Sequence, residues 1–161
     1  LNAHFDLCTA ENVEKYFQRS LFYGMLPSMF SHNACNDVYW SRPDWYNRDR
    51  PLFKRYLPII QRVAEAGWEP VTCATVDSDT VYVERFGPDA DGRVYITLLN
   101  DSFDDQQVHV TVPARGLGVS TKKGAEELVS GKRLPAEKHH GDLTVTLDLP
   151  SEAVRVLAFP P

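Results

Sequence analysis

The hydrophobic positions of this chain change period at about Gly67. Upstream they recur at helical spacing. Thr9 is a suitable N-cap, with Glu11 in the first turn where a carboxylate suits the helix dipole. The spacing predicts a helix over 10–21 with Val13, Phe17 and Leu21 as its apolar stripe. Residues 22–30 (Phe-Tyr-Gly-Met-Leu-Pro-Ser-Met-Phe) are apolar on both faces and predict a short strand covered on both sides, its ladder limited by Pro27. Residues 31–50 read as a long polar and aromatic loop, a kind of segment that often carries function. A second helix follows, capped by Asp49 with Pro51 in its first turn. Its buried stripe is Leu52, Tyr56, Ile59 or Ile60, and Val63, with a kink at Pro58 and a stop at Gly67.

From about Thr80 onward the period is two. Strands are expected at 80–86, 93–100, 107–113, 126–128, 143–149 and 153–159, separated by Gly-, Pro-, Asn- and Asp-containing turns. Val108, Val110 and Val112 face one way and His109 and Thr111 the other. Leu143, Val145, Leu147 and Leu149 likewise oppose Thr144, Thr146 and Asp148. One wet and one dry face per strand predicts an antiparallel sandwich. The fold class is therefore an α+β chain: helices around one buried strand, then an all-β antiparallel sandwich. The expected organisation is a helical unit at 1–70, a linker at 71–79 and the sandwich at 80–161, with Trp68 packed between the two units.

Composition narrows the functional classes. The 161 residues carry a net charge of -5 with acidic and basic residues interspersed, so no footprint for nucleic acid is present. Lys122-Lys123 is the nearest thing to a basic cluster and reads as a solvated turn. No apolar run approaches the roughly 20 residues that span a bilayer. Cys8, Cys35 and Cys73 lack metal or redox spacing and read as buried or half-buried free thiols, with a Cys8–Cys35 bridge as the alternative. His139 and His140 are adjacent, point to opposite faces if on a strand, and read as a solvated turn rather than a metal site. No metal or cofactor is implied, and no nucleophile-elbow, phosphate-loop or zinc-protease motif is present. The chain begins at Leu1 as if within a longer sequence, which predicts a fragment or a processed chain; no compartment is assigned.

Several stretches resemble the C-terminal end of a glycoside hydrolase, in which a small β-sandwich follows a (β/α)8 barrel. They are the Glu-Glu-Leu-Val-Ser-Gly turn at 126–131, the run from Leu143 to Phe159 ending in Val154-Arg155-Val156-Leu157, and Asp101-Ser102-Phe103-Asp104-Asp105 after Leu98-Leu99-Asn100. The resemblance covers about half the chain and identifies a class of module, not one family. Retaining enzymes acting on α-galactosides or related sugars are one of several candidates. It implies that 1–70 closes a catalytic barrel, with helix seven from Ala10, strand eight at 22–30 and helix eight from Arg50, and that Asn2, His4 and Asp6 rim strand seven.

Barrel active sites lie at the C-terminal ends of the strands, which places the loop after residue 30 over a sugar site. Tyr39, Trp40 and Trp45, with Tyr46, would offer flat faces to a pyranose, and His32, Asn33, Asp37 and Asp44 would offer hydrogen bonds. Glycoside hydrolysis needs two carboxyl groups, about 5–5.5 Å apart for retention and about 6.5–9.5 Å for inversion. Asp6, Asp37, Asp44 and Asp49 are available but no pair stands out, so the catalytic pair is expected upstream of Leu1 and the isolated chain is expected to be inactive. The expected partners are a carbohydrate and the remainder of the barrel. The competing reading is a non-catalytic carbohydrate-binding or structural sandwich, which would carry exposed aromatics on the sandwich itself. That half holds Tyr82, Phe86, Tyr95, Phe103 and Phe159 but no Trp.

Overall fold

The computed structural model describes residues 9–29 and 39–161. Thr9 caps helix α1 (Ala10–Phe22), its side chain accepting from the Asn12 N–H at 3.2 Å, and Val13, Phe17 and Leu21 are buried as the spacing predicts. The expected strand at 22–30 is not formed over its described residues. Phe22 is the last residue of α1, and residues 23–29 lie in a turn and irregular chain. The reason is Gly24, which takes φ +61 and closes a Schellman end: its N–H bonds the Leu21 carbonyl, and the Met25 N–H bonds the Ser20 carbonyl. A Cβ at Gly24 would stand 2.6 Å from the Phe86 ring, so the reversal also needs glycine for space.

Helix α2 spans Pro43–Ala66, starting several residues before the expected cap at Asp49. Pro43, not Pro51, takes the first-turn position, and the helix continues through Pro51 and Pro58 to Gly67. Asp49 is no cap. It is buried mid-helix, where Tyr39 and Arg48 satisfy it.

Ten strands follow: β1 (Trp68–Glu69), β2 (Thr75–Val76), β3 (Val81–Phe86), β4 (Val94–Asn100), β5 (Gln106–Pro113), β6 (Ala125–Glu127), β7 (Lys132–Leu134), β8 (Glu137–His139), β9 (Asp142–Leu149) and β10 (Val154–Phe159), with the short helix α3 (Ala114–Leu117) after β5. They build an antiparallel sandwich from a sheet ordered β1-β3-β4-β10-β6-β7 and a sheet ordered β2-β5-β9-β8. Two strands lie upstream of the expected start at Thr80, and β2 lies within the stretch read as a linker.

The central strands of the six-stranded sheet, β4 and β10, are largely apolar on both faces. The sheet's inner face (Val94, Ile96, Leu98, Leu157, Phe159) meets the alternate residues of β5 and β9. Its outer face (Phe86, Tyr95, Leu99, Val154, Val156, Ala158) meets Phe17, Leu21, Phe22, Tyr56, Ile60 and Val63 of the two helices. The alternation of wet and dry faces therefore holds for β5 and β9, whereas every residue of β4 is buried. Polar ties stitch the helices down. The Thr97 hydroxyl donates to the Phe22 carbonyl at 2.8 Å, the Val154 N–H donates to Gln18 at 3.0 Å, and Lys15 and Arg19 pair with Glu152 and Asp101. Trp68 is 58% exposed on the sheet edge, its indole N–H bonded to Glu84, and is not packed between two units. Cys73 is exposed rather than buried, while Cys8 and Cys35 lie outside the described residues. His139 and His140 are both exposed.

Candidate functional site

Of the predicted sugar-contacting residues, His32, Asn33 and Asp37 lie outside the described residues. So do Asn2, His4 and Asp6. Tyr39, Trp40, Asp44 and Trp45 are described and stand together at the start of α2. Tyr39–Ser41 forms one 3-10 turn, and the Arg42 N–H returns to the Tyr39 carbonyl at 3.1 Å. Pro43 then launches the helix, because its fixed φ suits a first helical position and its missing N–H costs nothing there.

The aromatic rings form one connected cluster. Tyr39 and Trp40 meet edge to face with centroids 5.0 Å apart, and Trp45 lies 6.5 Å from Tyr39. Trp40 also touches Phe53 (5.5 Å) and Tyr46 (6.3 Å), and Phe53 continues to Phe17 (4.7 Å) in the helix–sheet core. Tyr39 is fully buried and anchors the turn: its hydroxyl donates to Asp49 at 2.9 Å, and Asp49 accepts two further hydrogen bonds from Arg48 at 2.6 and 2.8 Å. This buried carboxylate was read from sequence as a cap.

Trp40 is 57% exposed and presents an indole to solvent on a rigid backing. The Arg42 guanidinium lies 4.4 Å above the half-buried Trp45 ring, a cation–π contact that holds the indole in place. Asp44 is exposed in the first turn of α2, 3.9 Å from Arg42. An exposed indole, a fixed guanidinium and an exposed carboxylate suit a ligand with both apolar faces and hydroxyl groups. The described part supplies one exposed carboxylate here, not a facing pair. Among the described residues no group of three or more His, Cys, Asp or Glu side chains converges to hold a metal, and no helix is long and apolar enough to cross a membrane.

The groups whose ionisation is displaced lie away from this cluster. Burial, reinforced by a hydrogen bond to Glu14, pushes the Tyr56 hydroxyl up to about 12. Asp77 is held below the usual carboxylate range by hydrogen bonds from the backbone and ring of His109. On the outer side of α2, Leu26 (65% exposed), Leu57 and Ala64 line an apolar groove of about 500 Å³ that Gln61 and Glu65 border.

No family model matches the chain, and no curated protein matches it. Solved structures do. A GH27 β-L-arabinopyranosidase from Geobacillus stearothermophilus is similar over 95% of this chain and 31% of its own, with a TM-score of 0.51 at 15% identity. Two proteins from Bacteroides fragilis, described as a candidate α-galactosidase and a candidate α-galactosidase/melibiase, match over 98% and 94% of this chain. Their TM-scores are 0.52 and 0.50 at 20% and 17% identity. At such identities the likeness is one of fold. The chain spans about 30% of the length of these proteins.

Proposed function

We propose that this chain is the C-terminal portion of a glycoside hydrolase. In this reading 1–70 closes a (β/α)8 barrel with α1 and α2 as its last helices. Residues 71–79 connect, carrying the short strand β2, and 80–161 form the sandwich that braces the barrel. The segment 31–50 lines the sugar site. The catalytic carboxylates and the rest of the barrel lie outside these 161 residues, and the chain alone is inactive.

The observation that carries the reading is the extent of the fold likeness. It takes in helices and sandwich together, 94–98% of this chain, yet only 29–31% of each carbohydrate-hydrolase neighbour. The outer face of the helices supports it: Leu26, Leu57 and Ala64 leave an apolar groove of the kind that packs against further protein. Within the site, Trp40 supplies the stacking face and Asp44 a hydroxyl partner, while Tyr39 and Asp49 hold the turn in place.

Trp40→Ala tests the site. A stacking face that grips substrate and transition state equally is lost as a rise in KM of about tenfold with kcat little changed. An unchanged KM in a folded, active variant contradicts the assignment. One observation favours the second reading, a carbohydrate-binding sandwich without catalytic role. Trp68 joins the sheet edge, on the same face as Tyr82, with both rings more than half exposed. If that reading is right, Trp68→Ala abolishes binding to an oligosaccharide and Trp40→Ala does not.

A further inference from the structure

At one end of the six-stranded sheet, β10, β6 and β7 and the residue preceding β4 line a second cavity of about 630 Å³, within the range of small-ligand sites (about 300–1,000 Å³). The register shows how it forms. Ala158 of β10 lies opposite both Tyr95 and Glu126, and Glu126 lies opposite Arg133, so one row runs across the sheet on the face the helices cover elsewhere. The helices pack on β3, β4 and β10, and the row continues past them over β6 and β7.

Four cations line this cavity, Arg93, Lys122, Lys123 and Arg133, against one carboxylate, Glu126. None of the four forms an ion pair within 4.0 Å among the described residues, as is also true of Arg115, Lys132 and Lys138, whereas Lys15, Arg19, Arg85 and Arg155 do. Asp89 also feels the Arg93 charge, and its oxygens accept hydrogen bonds from Tyr95 and from the Asp91 and Arg93 N–H groups. In a chain of net charge -5, such a concentration of unpaired positive charge in a concavity is a departure from the whole.

The backbone beneath is fixed. The Ser120 N–H bonds the Pro160 carbonyl at 2.8 Å, pinning the turn that carries Lys122 and Lys123 to the end of β10. The Asp89 carboxylate holds the Arg93 N–H at 2.9 Å. At Gly124 the strands approach so closely that a Cβ would fall 1.9 Å from the Leu134 carbonyl oxygen. Pro135 and Pro160 add apolar walls. A pocket with charged corners and apolar walls on a rigid frame is preorganised for a small anion that also carries C–H faces.

We propose that this pocket binds an anionic saccharide, a sugar bearing sulfate or carboxylate groups, at a site separate from the Trp40 cluster. The sugar half of the proposal rests on the preceding reading of the chain; the anionic half rests on the pocket alone. A long polyanion such as nucleic acid is disfavoured, because the chain as a whole carries a net charge of -5.

The test is calorimetric or NMR titration of the full-length protein with a chondroitin sulfate disaccharide, which carries both anions. Lactose serves as the neutral control, and sodium sulfate and oligothymidylate as the other anions. The expected result is binding of the sulfated disaccharide that weakens with added salt and falls about tenfold in the Lys122→Glu/Lys123→Glu double variant. Lys138→Glu, on the other sheet, leaves it unchanged. Both lysines are exposed, so the double variant retains its fold, checked by circular dichroism. Absence of disaccharide binding, or binding indifferent to the double variant, overturns the proposal. Equal affinity for sulfate or oligothymidylate overturns its saccharide half. Failure here with glycosidase activity intact leaves the preceding reading standing, and loss of that reading with disaccharide binding intact leaves the anion site standing.

Discussion

Phe17 tests whether helices and sandwich share one core. It is fully buried between the layers, stacked on Tyr56 with centroids 5.9 Å apart and edge-on to Phe53 at 4.7 Å. Its cluster reaches across the sheet face to Tyr95 and Val156. Truncating a buried phenylalanine to alanine costs about 3–5 kcal/mol. A pair of rings adds about 0.5–1.5 kcal/mol beyond area burial, so Phe17→Ala should cost about 4 kcal/mol. With a urea slope of about 2 kcal/mol/M for a chain of this size, the midpoint falls by about 2 M. The assay is urea unfolding followed in parallel by far-UV circular dichroism and by hydrogen exchange of the β5 and β9 amides. Lys54→Ala, at an exposed position on α2, is the control and should change stability by less than about 0.5 kcal/mol. Both probes should shift together. If the helical signal is lost early while β5 and β9 keep their protection, the shared core is wrong and the helices are a separable layer.

Asp49→Ala removes a buried carboxylate that accepts from Tyr39 and twice from Arg48, and should cost about 2–3 kcal/mol in urea unfolding. It should also shift Trp fluorescence as the Tyr39–Trp40 turn loosens; an unchanged midpoint would refute the anchoring role. Tyr56 titrates at about 12 in the folded chain, against about 10 unfolded. Its contribution is therefore complete below about pH 10 and is lost as pH rises through about 12, on the order of 2 kcal/mol. Tyr56→Phe should flatten the urea midpoint across that window, and an identical alkaline decline in both proteins would contradict the assignment. Gly124→Ala forces the β6–β7 backbone apart and should cost about 2 kcal/mol, read as a fall in Tm of about 6 °C. A Tm within error of the parent would show that the strands yield freely.

The legible parts of the fold were those with enough residues to display a period. Helix α1 announced its cap, stripe and acidic first turn. The six expected strands lie within about one or two residues of their observed positions, a margin normal for element boundaries. Strands β1, β2, β7 and β8 have two or three residues each and α3 has four, too few to show any alternation. The signature of burial on both faces was assigned to 22–30, where Gly24 ends a helix instead. It belonged to Val94-Tyr95-Ile96-Thr97-Leu98-Leu99-Asn100, whose outer face is dry because two helices from the other end of the sequence cover it. No local pattern encodes that cover.

The site divides in the same way. The aromatic run at 39–46 was visible as composition, but which ring is buried and which exposed depends on Asp49 and Phe53, contacts made only once α2 forms. The basic pocket was invisible for a related reason. Arg93, Lys122, Lys123 and Arg133 come from separate strands and turns, and only the order β4-β10-β6-β7 brings them to one end of one sheet.

The central claim is most directly tested by measuring glycoside hydrolysis by the protein translated from the full reading frame that contains this sequence, beside the 161-residue chain alone. The substrates are a panel of aryl glycosides that includes α-galactosides and β-L-arabinopyranosides. The account predicts hydrolysis by the former and none by the latter, since the proposal assigns the essential carboxylates to residues outside these 161. A folded full-length product inert across the panel, or hydrolysis by the 161-residue chain itself, would contradict it.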